Sequence, residues 1–83
     1  MAQNDIIGIP LTGIQSRVLD YIAAFQRLHG FPPTRQEIAY EMGYASANAA
    51  QCHIDAIRKK GYIEITPHIS RGISITKRFR PGA

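Results

Sequence analysis

The sequence predicts a small, mainly α domain with a β-hairpin: three short helices followed by two strands. Three observations carry that reading. Thr12, Thr34 and Ser46 each stand immediately before a segment whose apolar residues recur at helical spacing. Gly30, Gly43 and Gly61 each follow such a segment, where a helix stops. After Gly61 the apolar period changes from 3.6 to 2, which is the pattern of half-buried strands. With 83 residues, 45% of them hydrophobic and 19% charged, the chain has the length and composition of one globular domain.

The first helix is predicted to start after Thr12. Thr12 and Gln15 form a capping box, in which hydroxyl and amide reciprocally satisfy two orphan backbone donors. Ile14, Val18, Tyr21, Ile22, Phe25 and Leu28 follow at three- and four-residue steps and define one apolar stripe, and Gly30 ends the helix. Phe31-Pro32-Pro33 forces an extended connection, because each proline disfavours helix in the residue before it. Thr34 and Glu37 make a second capping box, and Ile38, Ala39 and Met42 form the inward face of a helix of about two turns ending at Gly43. Tyr44-Ala45 is a tight link to Ser46, a third N-cap. The third helix runs from Ala47 to about Lys60, with Arg58, Lys59 and Lys60 suiting the negative end of its dipole. Tyr62–Thr66 and Ile73–Thr76 alternate as strands, and Pro67–Gly72 between them is polar and turn-marked.

Charge is unevenly distributed. Residues 1–42 carry three basic and four acidic side chains, a net of −1, whereas residues 43–83 carry seven basic and two acidic, a net of +5. Such an asymmetry fits contact with nucleic acid or an acidic surface, with a solvated basic tail as the alternative. Cys52 is the single cysteine, so an internal disulfide is excluded and a thiolate metal cluster cannot form. The N-terminus lacks a secretory pattern and no apolar run is long enough to span a bilayer, so a cytoplasmic location is expected. His29, His53 and His68 have no ligand spacing, and Ser16, Ser46, Ser70 and Ser74 have cap, surface or loop explanations. No metal, cofactor, membrane or small-molecule substrate is expected, and the chain is read as a non-enzyme.

Three short helices with a tight turn between the second and third make a helix-turn-helix candidate, and the appended hairpin makes it a three-helix winged helix-turn-helix. A projection at 100° per residue puts Ala50, Ile54 and Ile57 on one side of the third helix and Asn48, Gln51, Cys52, Asp55 and Lys59 on the other. The outward face is short and polar near its start, as entry into a groove about 12 Å wide requires. Asn48 and Gln51 have amide geometry for adenine N6 and N7, and Ala49 is small enough to lie against a thymine methyl.

Several segments together resemble the N-terminal DNA-binding domain of the LexA SOS repressors. They are Leu11-Thr12, Phe31-Pro32-Pro33-Thr34-Arg35-Gln36-Glu37-Ile38-Ala39, Met42-Gly43-Tyr44-Ala45-Ser46-Ala47-Asn48-Ala49-Ala50, Lys59-Lys60-Gly61-Tyr62-Ile63-Glu64-Ile65 and Ser70-Arg71-Gly72-Ile73. The resemblance runs from about Leu11 to Ile75. It implies operators of the SOS-box type and base-reading roles for Ser46, Asn48, Ala49, Gln51 and Cys52. Two departures fall in that stretch. Ala47 stands where the family has a helix-starting proline, and Gln51-Cys52 replaces a typical pair of glutamates, so the sequence preference is expected to differ. LexA repressors continue into a self-cleaving, dimer-forming domain with a Ser/Lys dyad. This chain ends soon after the wing, so autocleavage is not expected of it.

Arg35 at the open first turn of the second helix, Lys59, and Arg71 at the wing are the candidates for the DNA backbone. The expected layout is an irregular arm over 1–10, the winged domain over 11–76 and a basic tail over 77–83. The recognition helix covers about 46–60 and the wing 66–72. The expected partner is double-stranded DNA, with a homodimer or a protein partner to supply affinity. The alternative is a protein-interaction module that binds and modulates a repressor, polymerase or nuclease.

Overall fold

The computed structural model describes residues 10–76; the predicted tail (77–83) and all but Pro10 of the predicted arm lie outside them. The elements run α1 (Gly13–His29), α2 (Arg35–Met42), α3 (Ala47–Lys59), β1 (Ile63–Ile65) and β2 (Ile73–Ile75). This is the three-helix winged helix-turn-helix that the sequence predicts. Among the described residues, no helix is long and apolar enough to cross a membrane.

The helix starts follow from their caps. At Thr12 and at Thr34 the threonine hydroxyl accepts the N3 backbone N–H, and the N3 side chain accepts the cap's own N–H in return. Ser46 occupies the N-cap of α3 in extended backbone but makes no side-chain capping bond. The expected serine cap is therefore positional only. Gly43 ends α2 at φ 78°, and the Tyr44 N–H returns to the Ala39 carbonyl at 2.8 Å. That closed left-handed turn fixes the angle at which α3 leaves α2. The Tyr44 ring then stacks on His53, 5.5 Å between centroids, and ties the turn to the body of α3.

One core lies between the helices and the hairpin. Val18, Leu19 and Ile22 from α1, Ile38 and Ala39 from α2, Ala50, Ile54 and Ile57 from α3, and Ile63 and Ile73 from the strands are all buried in it. The inward face predicted for α3 is thus the observed one. The α1 stripe is shifted: Leu19 and Ala23 are buried, while Ile14 is 49% and Leu28 80% exposed. A helix of 17 residues is about 25 Å long, roughly twice the length of the eight-residue α2 it packs on, so its end residues overshoot the core.

β1 and β2 pair antiparallel with Ile63 opposite Ile75 and Ile65 opposite Ile73. They are shorter than the predicted runs. Ile63 and Ile73 are buried, but Ile65, next to the wing loop, is 37% exposed. The Thr66 N–H closes the wing loop on the Gly72 carbonyl at 2.8 Å. A Cβ on Gly72 would lie 2.5 Å from the Thr66 carbonyl oxygen and 3.0 Å from that of Ile69. Only glycine permits that approach.

Lys60 departs from its expected role at the helix dipole. It is 5% exposed, and its ammonium donates to the Pro10 carbonyl and to Gln15 Oε1, pinning the end of α3 to the start of α1.

Candidate nucleic-acid interface

The exposed side of the molecule is built around the first half of α3. Ser46, Asn48, Ala49 and Cys52 are all solvent-exposed there, and the Cys52 thiol is free. Gln51 is half-buried one turn further along. These five residues are the base-reading candidates, and the burial of Ala50, Ile54 and Ile57 turns their side of the helix outward. Beside them, the start of α2, α3 and the wing enclose an open groove of about 460 Å³, lined by residues including Arg35, Ala47, Gln51, His68 and Ser70.

Arg35 and Gln51 are brought together. An Arg35 Nη1 N–H donates to Gln51 Oε1 at 2.8 Å, and Gln51 Nε2 donates to Asp55 Oδ1 at 2.7 Å. This chain of three side chains joins the two helices on the outer face. Arg35 is exposed and has most of its five N–H donors left for other acceptors. Asp55 was visible in the sequence as an outward residue, and its spacing of four from Gln51 is the signal for the pair. Lys59 lies half-buried at the last turn of α3, away from this cluster's groove lining.

Arg71 is placed differently from the expectation of a DNA-contacting wing arginine. Its guanidinium turns back to the fold. Nη1 and Nη2 donate to the two Glu37 carboxylate oxygens at 2.8 and 3.0 Å, and Nη1 also donates to the Pro32 carbonyl at 2.9 Å. The guanidinium carbon sits 4.7 Å from the Phe31 ring centroid and 5.8 Å from that of Phe25. Glu37 is the same residue that closes the α2 capping box. The Arg71 hydrogen bonds first, and the Thr34 backbone N–H second, hold its carboxyl down from 4.5 to about 2. The Arg71 pKa is raised by the same hydrogen bonds. The run Phe25, Phe31, Pro32 and Glu37 thus forms a seat for the wing, which charge counting along the sequence did not reveal.

Among the described residues, no cluster of three His, Cys, Asp or Glu side chains is arranged to hold a metal ion. The exposed side of α3 offers amides, a hydroxyl and small side chains, with the Arg35 guanidinium beside them on α2.

Comparison with known proteins agrees with this geometry. The family model for the LexA DNA binding domain matches residues 9–72. The chain is 52% identical over 73 residues to the LexA repressor of Pseudomonas aeruginosa strain LESB58, covering 88% of this chain and 35% of that protein. It is 50% identical over 72 residues to the LexA repressor of Shewanella loihica, covering 87% and 35% of the two chains. Against the LexA repressor of Aeromonas hydrophila it is 53% identical over 66 residues, covering 80% and 32%. The chain spans about a third of the length of these curated relatives. With its family model matched across the helices and the wing, the chain belongs to the LexA DNA-binding domain family.

Proposed function

We propose that this protein is a sequence-specific double-stranded DNA-binding transcriptional regulator, a repressor of LexA-like type acting on operators related to the SOS box. α3 enters the major groove and presents Ser46, Asn48, Ala49, Gln51 and Cys52 to base edges. Arg35 and Lys59 contact phosphates, and the wing lies along the backbone. Arg71 serves as the strut that aims the wing, because three of its five N–H donors are engaged by Glu37 and Pro32. The protein works in the cytoplasm, where its operators are.

The observation that carries this reading is the division of α3 into two faces. Ala50, Ile54 and Ile57 are buried, while Ser46, Asn48, Ala49 and Cys52 stand exposed together on the adjoining surface. A single module of this kind buries on the order of 600–1,000 Å² of protein surface on DNA, so one copy binds weakly. Two copies on half-sites about one helical turn apart, or a protein partner, supply the remaining affinity.

The test is a titration against an SOS-box duplex and a scrambled duplex of equal length across a range of salt. The expected result is tighter binding to the operator at every salt concentration, with both affinities falling as salt rises. Equal affinity for the two duplexes, or no binding, would overturn the proposal.

A further inference from the structure

The hydrogen bonds around Gln51 have a consequence for which base it accepts. A glutamine amide turned by half a rotation exchanges its oxygen and its NH₂, so an unrestrained side chain can offer either a donor or an acceptor at one point in the groove. At thymine O4 it would donate, and at cytosine N4 it would accept. Gln51 is restrained on both sides. A guanidinium donor meets Oε1 at 2.8 Å, and a carboxylate acceptor meets Nε2 at 2.7 Å. The exchanged orientation would set NH₂ against guanidinium and oxygen against carboxylate, losing both bonds and opposing like partial charges. Each bonded atom keeps one further site: Oε1 a second lone pair, and Nε2 a second N–H.

From this we propose that Asp55, acting with Arg35, is a specificity-determining positioning residue: it holds the Gln51 amide in one orientation, with its acceptor toward α2 and its donor toward the end of α3. The inference rests on the DNA-reading function proposed above. Asp55 touches no base. It fixes the order in which Gln51 presents acceptor and donor, and that fixed order suits adenine, whose major-groove edge carries an N6 donor beside an N7 acceptor. The carboxylate also does what a neutral residue could not do as firmly, since a charge-assisted hydrogen bond is roughly twice as strong as a neutral one. Its own negative charge opposes DNA generally, so Asp55 trades overall affinity for discrimination.

The experiment is selection of bound sequences from a randomised double-stranded DNA library by the full chain and by its Asp55→Ala and Asp55→Asn variants. Thermal unfolding is followed alongside to confirm that each variant is folded. Asp55→Ala is expected to bind DNA more tightly overall yet to lose preference at one base pair by about five-fold or more, the low end of what a bidentate base contact supplies. Asp55→Asn keeps an acceptor for Nε2 and is expected to retain that preference while also gaining overall affinity. Preference in Asp55→Ala that matches the unchanged chain at every position overturns the inference, as does an equal loss in Asp55→Asn. Absence of any base preference in the unchanged chain overturns the DNA-reading proposal itself, and this inference with it.

Discussion

Arg71 of the wing and Glu37 of α2 are joined by two parallel N–H···O bonds, 2.8 and 3.0 Å long, across 34 residues of sequence. The same carboxylate accepts the Thr34 N–H at 2.8 Å. One side chain therefore starts the helix that positions α3 and also anchors the hairpin that flanks it. This junction ties the wing to α2, on which α3 packs.

The junction predicts a pH dependence. Glu37 titrates at about 2 in the fold against an ordinary 4.5, so its ionised form is favoured by folding. Its contribution is fully present above about pH 4.5 and is lost as pH falls toward 2. Glu37→Gln keeps a capping box but not the ion pair. Thermal melts between pH 7 and 2 should show a shallower decline for Glu37→Gln than for the unchanged chain. Parallel curves would contradict the assignment.

The two threonine caps and the serine cap should respond differently to alanine. Thr34→Ala removes a hydroxyl that accepts the Glu37 N–H, and is expected to cost about 1 kcal/mol in urea unfolding. Ser46 makes no such bond, so Ser46→Ala should change stability by less than about 0.5 kcal/mol. Its effect should appear in DNA affinity instead.

Gly72→Ala should damage the wing selectively. The added methyl would sit 2.5 Å from the Thr66 carbonyl oxygen, so the loop must open. A loss of about 1–3 kcal/mol is expected from the overpacking, with faster amide exchange at Thr66. Unchanged exchange at Thr66 would show that the loop absorbs the methyl without moving.

Truncating the core is expected to act globally. Ile54 is 1% exposed in the shared core, and Ile54→Ala should cost about 2–5 kcal/mol. For a domain this small that is most of the stability available, and the variant should melt well below the unchanged chain.

Much of this architecture was legible from local signals. Thr12–Gln15 and Thr34–Glu37 carry their caps within four residues, and the αL glycines Gly30 and Gly43 mark their own helix ends. Ala50, Ile54 and Ile57 lie on the inward face that helical periodicity assigns them. The misplacements have a shared cause, which is tertiary reach. Leu28 obeys the α1 period but extends past the core, and Lys60 at the helix end is drawn 50 residues back to the Pro10 carbonyl. The seat of Arg71, expected at the DNA backbone, was not legible because Glu37, Pro32 and Phe31, its partners, are about 35–40 residues earlier in the chain. Of the candidate site, the residue types and helix were visible in sequence, whereas the Arg35–Gln51–Asp55 chain required the packing of α2 on α3.

If the exposed N-terminal half of α3 reads bases as proposed, Asn48 is the residue that probes it most directly. Asn48 is exposed on that face, and a bidentate amide contact there is worth about 1–3 kcal/mol of discrimination. The decisive measurement is the ratio of operator to scrambled-duplex affinity for the chain and for Asn48→Ala at fixed salt. The ratio is expected to shrink by about 1–3 kcal/mol while affinity for the scrambled duplex stays the same. An operator preference that survives Asn48→Ala intact would contradict the proposal and move the reading surface elsewhere on the molecule.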